Sequence, residues 1–181
     1  MNEVPSPAQL RGPRLHLRPV ELEDLPLLHR WDSDPAVAGE FQVPRPRSMR
    51  EMERRFLDST ALTEEFGRLL AVRDDDTPVG LLSYHRVGYG LWSPAVNMGI
   101  EIAPEHRGQG YGSEAQRLLA DYLLAAFPVG RVEASTDVEN LAEQRSLERA
   151  GFTREGVARH AAWRAGTWHD MVVFSRVQGD E

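Results

Sequence analysis

Large aliphatic residues alternate with small or polar ones from Asn97 to Ala103. Met98, Ile100 and Ile102 fall on one face, Asn97, Gly99, Glu101 and Ala103 on the other. A period of two marks a strand with one apolar side. Pro104 lacks a backbone donor and stops it. After a glycine-rich stretch the period lengthens, and Ala115, Leu118, Leu119, Tyr122, Leu123 and Ala126 share one face of a predicted helix.

The remaining elements follow from the same patterns. Residues 1–13, with Pro5, Pro7, Gly12 and Pro13, read as a flexible lead-in. Leu15 and Leu17 mark a first strand ending at Pro19, and Leu22, Leu25, Leu28 and Trp31 predict an amphipathic helix over Glu21–Trp31. Gly39–Arg47 is broken by prolines. Ser48, with Glu51 as capping-box partner, predicts a helix through Phe66. Leu69–Val72 and Val79–His85 flank the turn residues Asp74–Pro78 as a β-hairpin. Val87–Pro94, with Gly88, Tyr89, Gly90 and Trp92, is either a flap over a pocket or a long hairpin connection. Arg131–Thr136 reads as a strand and Asn140–Ala150 as a helix closed by Gly151. Phe152–Val177 holds two strands joined around Arg164–Thr167. The order β, α, α, β, β, β, α, β, α, β, β predicts a mixed α/β (α+β) class, in one domain over residues 14–178.

The stretch Arg107-Gly108-Gln109-Gly110-Tyr111-Gly112-Ser113 joins the central strand to its helix. Glycines let a ligand approach the main chain, and the first amides of a helix have no partner within it. With the helix dipole and the Arg107 guanidinium, these amides form a candidate site for a phosphate or pyrophosphate. The plain alternative is a tight turn that binds nothing.

Composition narrows the classes. The chain has 181 residues, 41% hydrophobic and 27% charged, enough for one globular domain. It has no cysteine, which excludes disulfides, thiolate metal sites and a cysteine-bound acyl intermediate. A net charge of −7 argues against general binding of nucleic acid or anionic membranes and suits a cationic or amine-bearing substrate. Neither a signal peptide nor a membrane span is evident in the sequence, and a cytoplasmic protein is expected. The histidines and carboxylates show no metal-ligand spacing, so no metal is expected. A Gly-x-Ser-x-Gly elbow and a P-loop are also missing.

The glycine loop resembles the acyl-CoA loop of the GNAT superfamily of N-acyltransferases, written Arg/Gln-x-x-Gly-x-Gly/Ala. Asn140, followed by Ala150-Gly151-Phe152 after a short helix, is similar to a second motif of that family. Arg154-Glu155-Gly156-Val157 and Gly166-Thr167-Trp168-His169-Asp170 resemble its ribosomal-protein alanine N-acetyltransferase branch. The resemblance implies a mostly antiparallel sheet of about seven strands flanked by about four helices, splayed between two parallel central strands. It implies acetyl-CoA as donor, its pyrophosphate on the amides of Arg107, Gly108, Gln109, Gly110, Tyr111, Gly112 and Ser113. The pantetheine arm would pair with the backbone of Ile100, Ile102 and Ala103 opposite Glu133–Thr136, with Asn140 bonding it from the other side. The acceptor would be a small-molecule or peptide amine, and a homodimer is compatible with the pattern.

Two departures concern the general acid. The position where many relatives carry a tyrosine is Leu147, and the branch's serine three residues after the asparagine is Glu143. Ser146, Tyr111 or a water remain as substitutes. Acyl transfer requires a neutral amine, and Glu101, on the polar face of the strand, is the candidate base. The alternative is a carboxylate paired with an arginine or set at a solvent edge. His85, His169 and Asp170 are weaker candidates, the last two better read as a structural turn pair. Other functions stay open: a succinyl-CoA or other acyl-CoA transferase, a non-catalytic acyl-CoA-binding module, or a dinucleotide-binding module with Glu133 about 20 residues beyond the loop. The acceptor is a protein N-terminus, amino sugar, polyamine or amine-bearing antibiotic, contacted by Val37–Arg47 and Val87–Pro94.

Overall fold

Along the strand Phe66–Arg73 (β2), Leu69 and Ala71 belong to one buried cluster and Leu70 and Val72 to another. Both faces of this strand therefore need cover, and the chain supplies a helical layer on each. The computed structural model describes residues 10–43, 46–58, 63, 65–90 and 93–180. Before β2 come β1 (Leu15–Pro19), α1 (Leu25–Ser33), α2 (Pro35–Ala38) and α3 (Met49–Asp58). The central unit is β3 (Pro78–Gly88), β4 (Pro94–Ile102) and α4 (Tyr111–Ala126). The chain closes with β5 (Arg131–Asp137), α5 (Leu141–Arg149), β6 (Thr153–Arg164) and β7 (Thr167–Val177).

The seven strands form one sheet in the order β1-β2-β3-β4-β5-β7-β6. Every neighbouring pair is antiparallel except β4 and β5. One face packs on α4 and α5 through Leu119, Leu123 and Leu147, while Leu25, Leu28, Trp31, Val37 and Met52 cover the other from α1, α2 and α3. Met98 and Ile100 meet the first cluster and Ala103 the second, so Glu101 projects toward the α1–α3 layer. The strand alternation is as the sequence pattern predicts.

Helix boundaries differ more. Residues 22–24 form a 3-10 turn, and α1 starts at Leu25 with Pro26 in its first turn, where a missing amide is tolerated. Ser48 does cap α3, accepting from the Glu51 amide at 3.2 Å. That helix is described through Asp58 and does not include Phe66, which pairs with His85 as the start of β2. The added short helix α2 follows Asp34, whose side chain accepts from the Ala36 amide. Gly88 pairs with Pro94, so the stretch between β3 and β4 is a hairpin connection; Leu91 and Trp92 lie outside the described residues.

The sheet is incomplete at its centre. β4 and β5 pair only at Val96 with Val132 and Asn97 with Glu133, then separate, while β5 stays paired to β7 through Asp137. Among the described residues no helix is long and apolar enough to cross a membrane.

Candidate active site

β4 leads into a 3-10 turn, Pro104–His106, and then the glycine loop. Gly108 and Gly110 have φ of 72° and 83°, a region that favours glycine, and Gly110 is the N-cap of α4. No side chain caps this helix. The amides of Gly108, Gln109, Gly110, Tyr111, Gly112 and Ser113 make no hydrogen bond among the described residues, and a Cβ at Gly108 would meet open space. All of these residues but Gln109 line a cavity of about 580 Å³, together with Ile100–Ile102 and residues of α5. The Arg107 amide is different, since it donates to Pro104 O at 3.2 Å.

The guanidinium of Arg107 is also committed elsewhere. Its Nε donates to Ile102 O at 2.9 Å and its Nη2 to Val37 O at 2.5 Å. Two main-chain carbonyls hold it, and Arg107 also lines the cavity. Two further arginines line the cavity, Arg145 and Arg149, four apart on the exposed face of α5 and free of ion pairs among the described residues. Arg14 braces the loop from outside: its Nη1 donates to Gln109 O at 2.8 Å, and its guanidinium lies 5.2 Å from the Tyr111 ring centre.

The strand edge expected for the arm is partly used. Ile102 O is bonded to Arg107 and the Ala103 amide donates to Val79 O at 3.0 Å, while β4 after Asn97, still paired with β3 through Ile102, has no strand partner on the side facing β5. Asn140 also has partners within the protein. Its Oδ1 accepts from the Glu143 amide at 3.2 Å and its Nδ2 donates to Thr136 Oγ1 at 3.0 Å, so the side chain caps α5. Those bonds occupy one of its two donors and one of its acceptor sites.

Leu147 is fully buried in the core and contributes nothing polar. Glu143 is the carboxyl group that α5 offers to the cavity. Burial pushes its carboxyl up to about 7, against the opposing bond from Gln116 Nε2 at 2.5 Å. Ser146 Oγ donates to Gln116 Oε1 at 2.8 Å, so its proton is engaged. A Cβ on Gly112 would come within 3.2 Å of that hydroxyl, which explains why the first turn of α4 can lie so close to α5.

A second cavity, of about 490 Å³, opens between α1, the segment after α2, and the β6–β7 hairpin. Glu101 lines both cavities and is the one ionisable residue common to them. Burial raises its carboxyl above the usual range and nearby Asp32 adds to this, while Arg107 and Arg68 oppose it. Two other carboxylates in this cavity have partners. Asp137 accepts from Arg164 Nη2 at 2.6 Å, and Asp32 lies 3.5 Å from Arg47 Nη1. Arg164 Nη1 also donates to Glu40 O at 2.5 Å. Residues 37–40 are thus tied at one end to Arg107 and at the other to Arg164. Ligand-type atoms of Asp137, Glu139 and His169 lie within 4.8 Å of one another, but Asp137 is already held by Arg164 and by the Glu139 amide at 2.9 Å. His169 contacts Arg164, and Asp170 accepts from the His160 amide, both structural roles. His85 is exposed on β3, away from both cavities.

Residues 14–153 match the acetyltransferase (GNAT) domain family. The chain belongs to the GNAT acetyltransferases. Over 179 residues this acetyltransferase is 27% identical to the probable N-acetyltransferase YjcK of Bacillus subtilis (strain 168), covering 95% of this chain and 98% of that one. It is 24% identical over 157 residues to the spermidine N(1)-acetyltransferase of Escherichia coli (strain K12), covering 86% and 82%. In fold it is similar to the spermidine N-acetyltransferase from Vibrio cholerae solved with CoA and spermine, with a TM-score of 0.81 at 22% identity, covering 93% and 98%. RimL, a ribosomal L7/L12 alpha-N-protein acetyltransferase solved with coenzyme A, gives 0.79 at 20% identity, covering 94% and 97%. The protein is an N-acetyltransferase, an enzyme of acetyl transfer to amines. A doubly wound dinucleotide module is ruled out by the sheet, in which only one pair is parallel.

Sequence patterns did not reveal Arg14, Arg145, Arg149 or Arg164. Arg145 and Arg149 carry a faint signal, since four-residue spacing puts both on one helix face. Arg14 and Arg164 act across large sequence separations, which no local period encodes.

Proposed function

We propose that residues 14–178 act as one domain that transfers acetyl from acetyl-CoA directly to a primary amine, with both substrates bound together. The supporting observation is that Glu101 lines two cavities at once, one rimmed by free loop amides and one by aromatic and acidic side chains. The diphosphate would sit on the amides of Gly108–Ser113, with Arg145 and Arg149 supplying positive charge. The arm's amides would complete the unpaired edge of β4 after Asn97.

The neutral amine attacks the thioester carbonyl and a C–N bond forms. Glu101 takes the nitrogen's proton, directly or through a water. As the C–S bond breaks, the thiolate takes a proton from the neutral carboxyl of Glu143. Glu101 then loses its proton to solvent and Glu143 regains one, so the net products are an amide and a free thiol. A carboxyl poised near neutrality suits that donation better than the engaged Ser146 hydroxyl.

Thermal unfolding tests the first half. Acetyl-CoA at about 100 times its dissociation constant adds ~2.7 kcal/mol of stability, whereas NAD leaves the midpoint where it was. Release of free thiol only when an amine is added supports transfer. Stabilisation without thiol release from any amine would make the chain a silent acyl-CoA binder.

A further inference from the structure

Charge pairing in the second cavity leaves little room for a polycation. Among the described residues three carboxylates line it, Asp32, Glu101 and Asp137, along with two guanidiniums, Arg47 and Arg164. Arg164 and Asp137 are both largely buried and joined at 2.6 Å, and Arg47 stands opposite Asp32. Arg68 lies beneath this layer, close enough to act on both Asp32 and Glu101. Glu101 alone has no hydrogen bond or ion pair among the described residues. Apart from Gln42, the rest of the wall is apolar, with the flat rings of Trp31, Phe41 and Trp163 beside Met171. Arg164 stacks 5.5 Å from the Phe41 ring centre, and Trp163 packs edge-on against Trp168 with centres 5.3 Å apart, which fixes two of those surfaces.

From this arrangement, and building on the acetyl-transfer reading above, we propose that the acceptor is a small amine with one ammonium group on a short arm from an aromatic ring. The ammonium lies by Glu101, and the ring lies among Trp31, Phe41 and Trp163. A second ammonium, as in a polyamine, would leave water to meet Asp137, already held by Arg164, or Asp32, whose Oδ2 is buried without a hydrogen bond among the described residues and faces Arg47 at 3.5 Å, with two guanidiniums repelling it. An aromatic ring instead gains contact with flat side chains and a cation-bearing wall.

The test is a thiol-release assay with saturating acetyl-CoA and four acceptors: 2-phenylethylamine, tryptamine, spermidine and a short peptide with a free N-terminal phenylalanine. The two arylalkylamines should exceed spermidine by about tenfold or more in kcat/KM. Trp163→Ala, at an exposed position, should raise KM for 2-phenylethylamine about fivefold while acetyl-CoA still stabilises the variant. Arg47→Ala should improve spermidine by releasing Asp32. Spermidine turned over as well as the arylalkylamines overturns the proposal, as does turnover confined to the peptide or no arylalkylamine turnover while acetyl-CoA binds. If acetyl-CoA itself gives no stabilisation, the acetyl-transfer reading fails first and this assignment fails with it.

Discussion

Arg14 and Glu114 are 100 positions apart in sequence yet share two bonds, Arg14 Nε to Glu114 Oε2 at 2.8 Å and the Arg14 amide to Oε1 at 2.9 Å. Glu114 is only 6% exposed, and both of its carboxylate oxygens are bonded to this one residue. The same guanidinium reaches Gln109 O, which makes it a brace for the glycine loop. Arg14→Ala should lower stability by ~1 kcal/mol, because the amide bond survives and the arginine is half in solvent. It should also raise KM for acetyl-CoA about fivefold by loosening the amides that meet the diphosphate. Arg14→Lys keeps charge without the fork and should fall between. Thermal melts and initial rates check all three.

Glu101→Gln should reduce kcat about 100-fold or more while KM for acetyl-CoA stays near wild type. Because burial raises the Glu101 pKa, the acidic limb of kcat/KM should lie above the ordinary carboxylate range, with activity lost as pH falls through it. That limb should vanish in the variant. Retention of full turnover would remove Glu101 from the chemistry.

Glu143 should leave two signatures. Its folded pKa is raised from 4.5 to about 7, so the folded state holds a proton that the unfolded state has lost across that window. Stability from this group is therefore full below pH 4.5 and declines as pH rises to about 7. Glu143→Gln keeps an acceptor for Gln116 and should flatten that decline in melts taken across the window. In wild type, kcat should also fall as pH rises past about 7 and the donor ionises, and the variant should be slow without this limb.

Arg145 and Arg149 are exposed and make no ion pair among the described residues, so replacing both with alanine should barely change the melting temperature. KM for acetyl-CoA should rise about tenfold at low ionic strength. The gap between variant and wild type should narrow as salt is added, since screening weakens exposed charge pairs. An unchanged KM at low salt would place the phosphates elsewhere.

How much of this could be read from the chain depends on distance along it. β4, the glycine loop and α4 are contiguous, and their two hydrophobic periods carry the strand, the exposed amides and the packed face together. Glu101 was legible for the same reason, because alternation sets it opposite Met98 and Ile100. The direction of the Arg107 side chain was not, because its acceptor Val37 is 70 residues away. The overlong helix after Ser48 has a different cause. Capping chemistry marks its start clearly, but that Phe66 belongs to a strand is decided by its pairing with His85, a tertiary event. Asn140 was found as a motif residue, yet its bonds to Glu143 and Thr136 show a cap, a role that spacing alone cannot separate from ligand contact.

The short strap of residues 37–40 has a kinetic consequence. Its first carbonyl hangs from the arginine at the head of the glycine loop and its last from the arginine of the β6–β7 hairpin. Any shift of the loop on receiving its thioester is passed along four residues to the wall against which the amine rests. The two chambers are mechanically geared, so substrate entry should follow a compulsory order, thioester first.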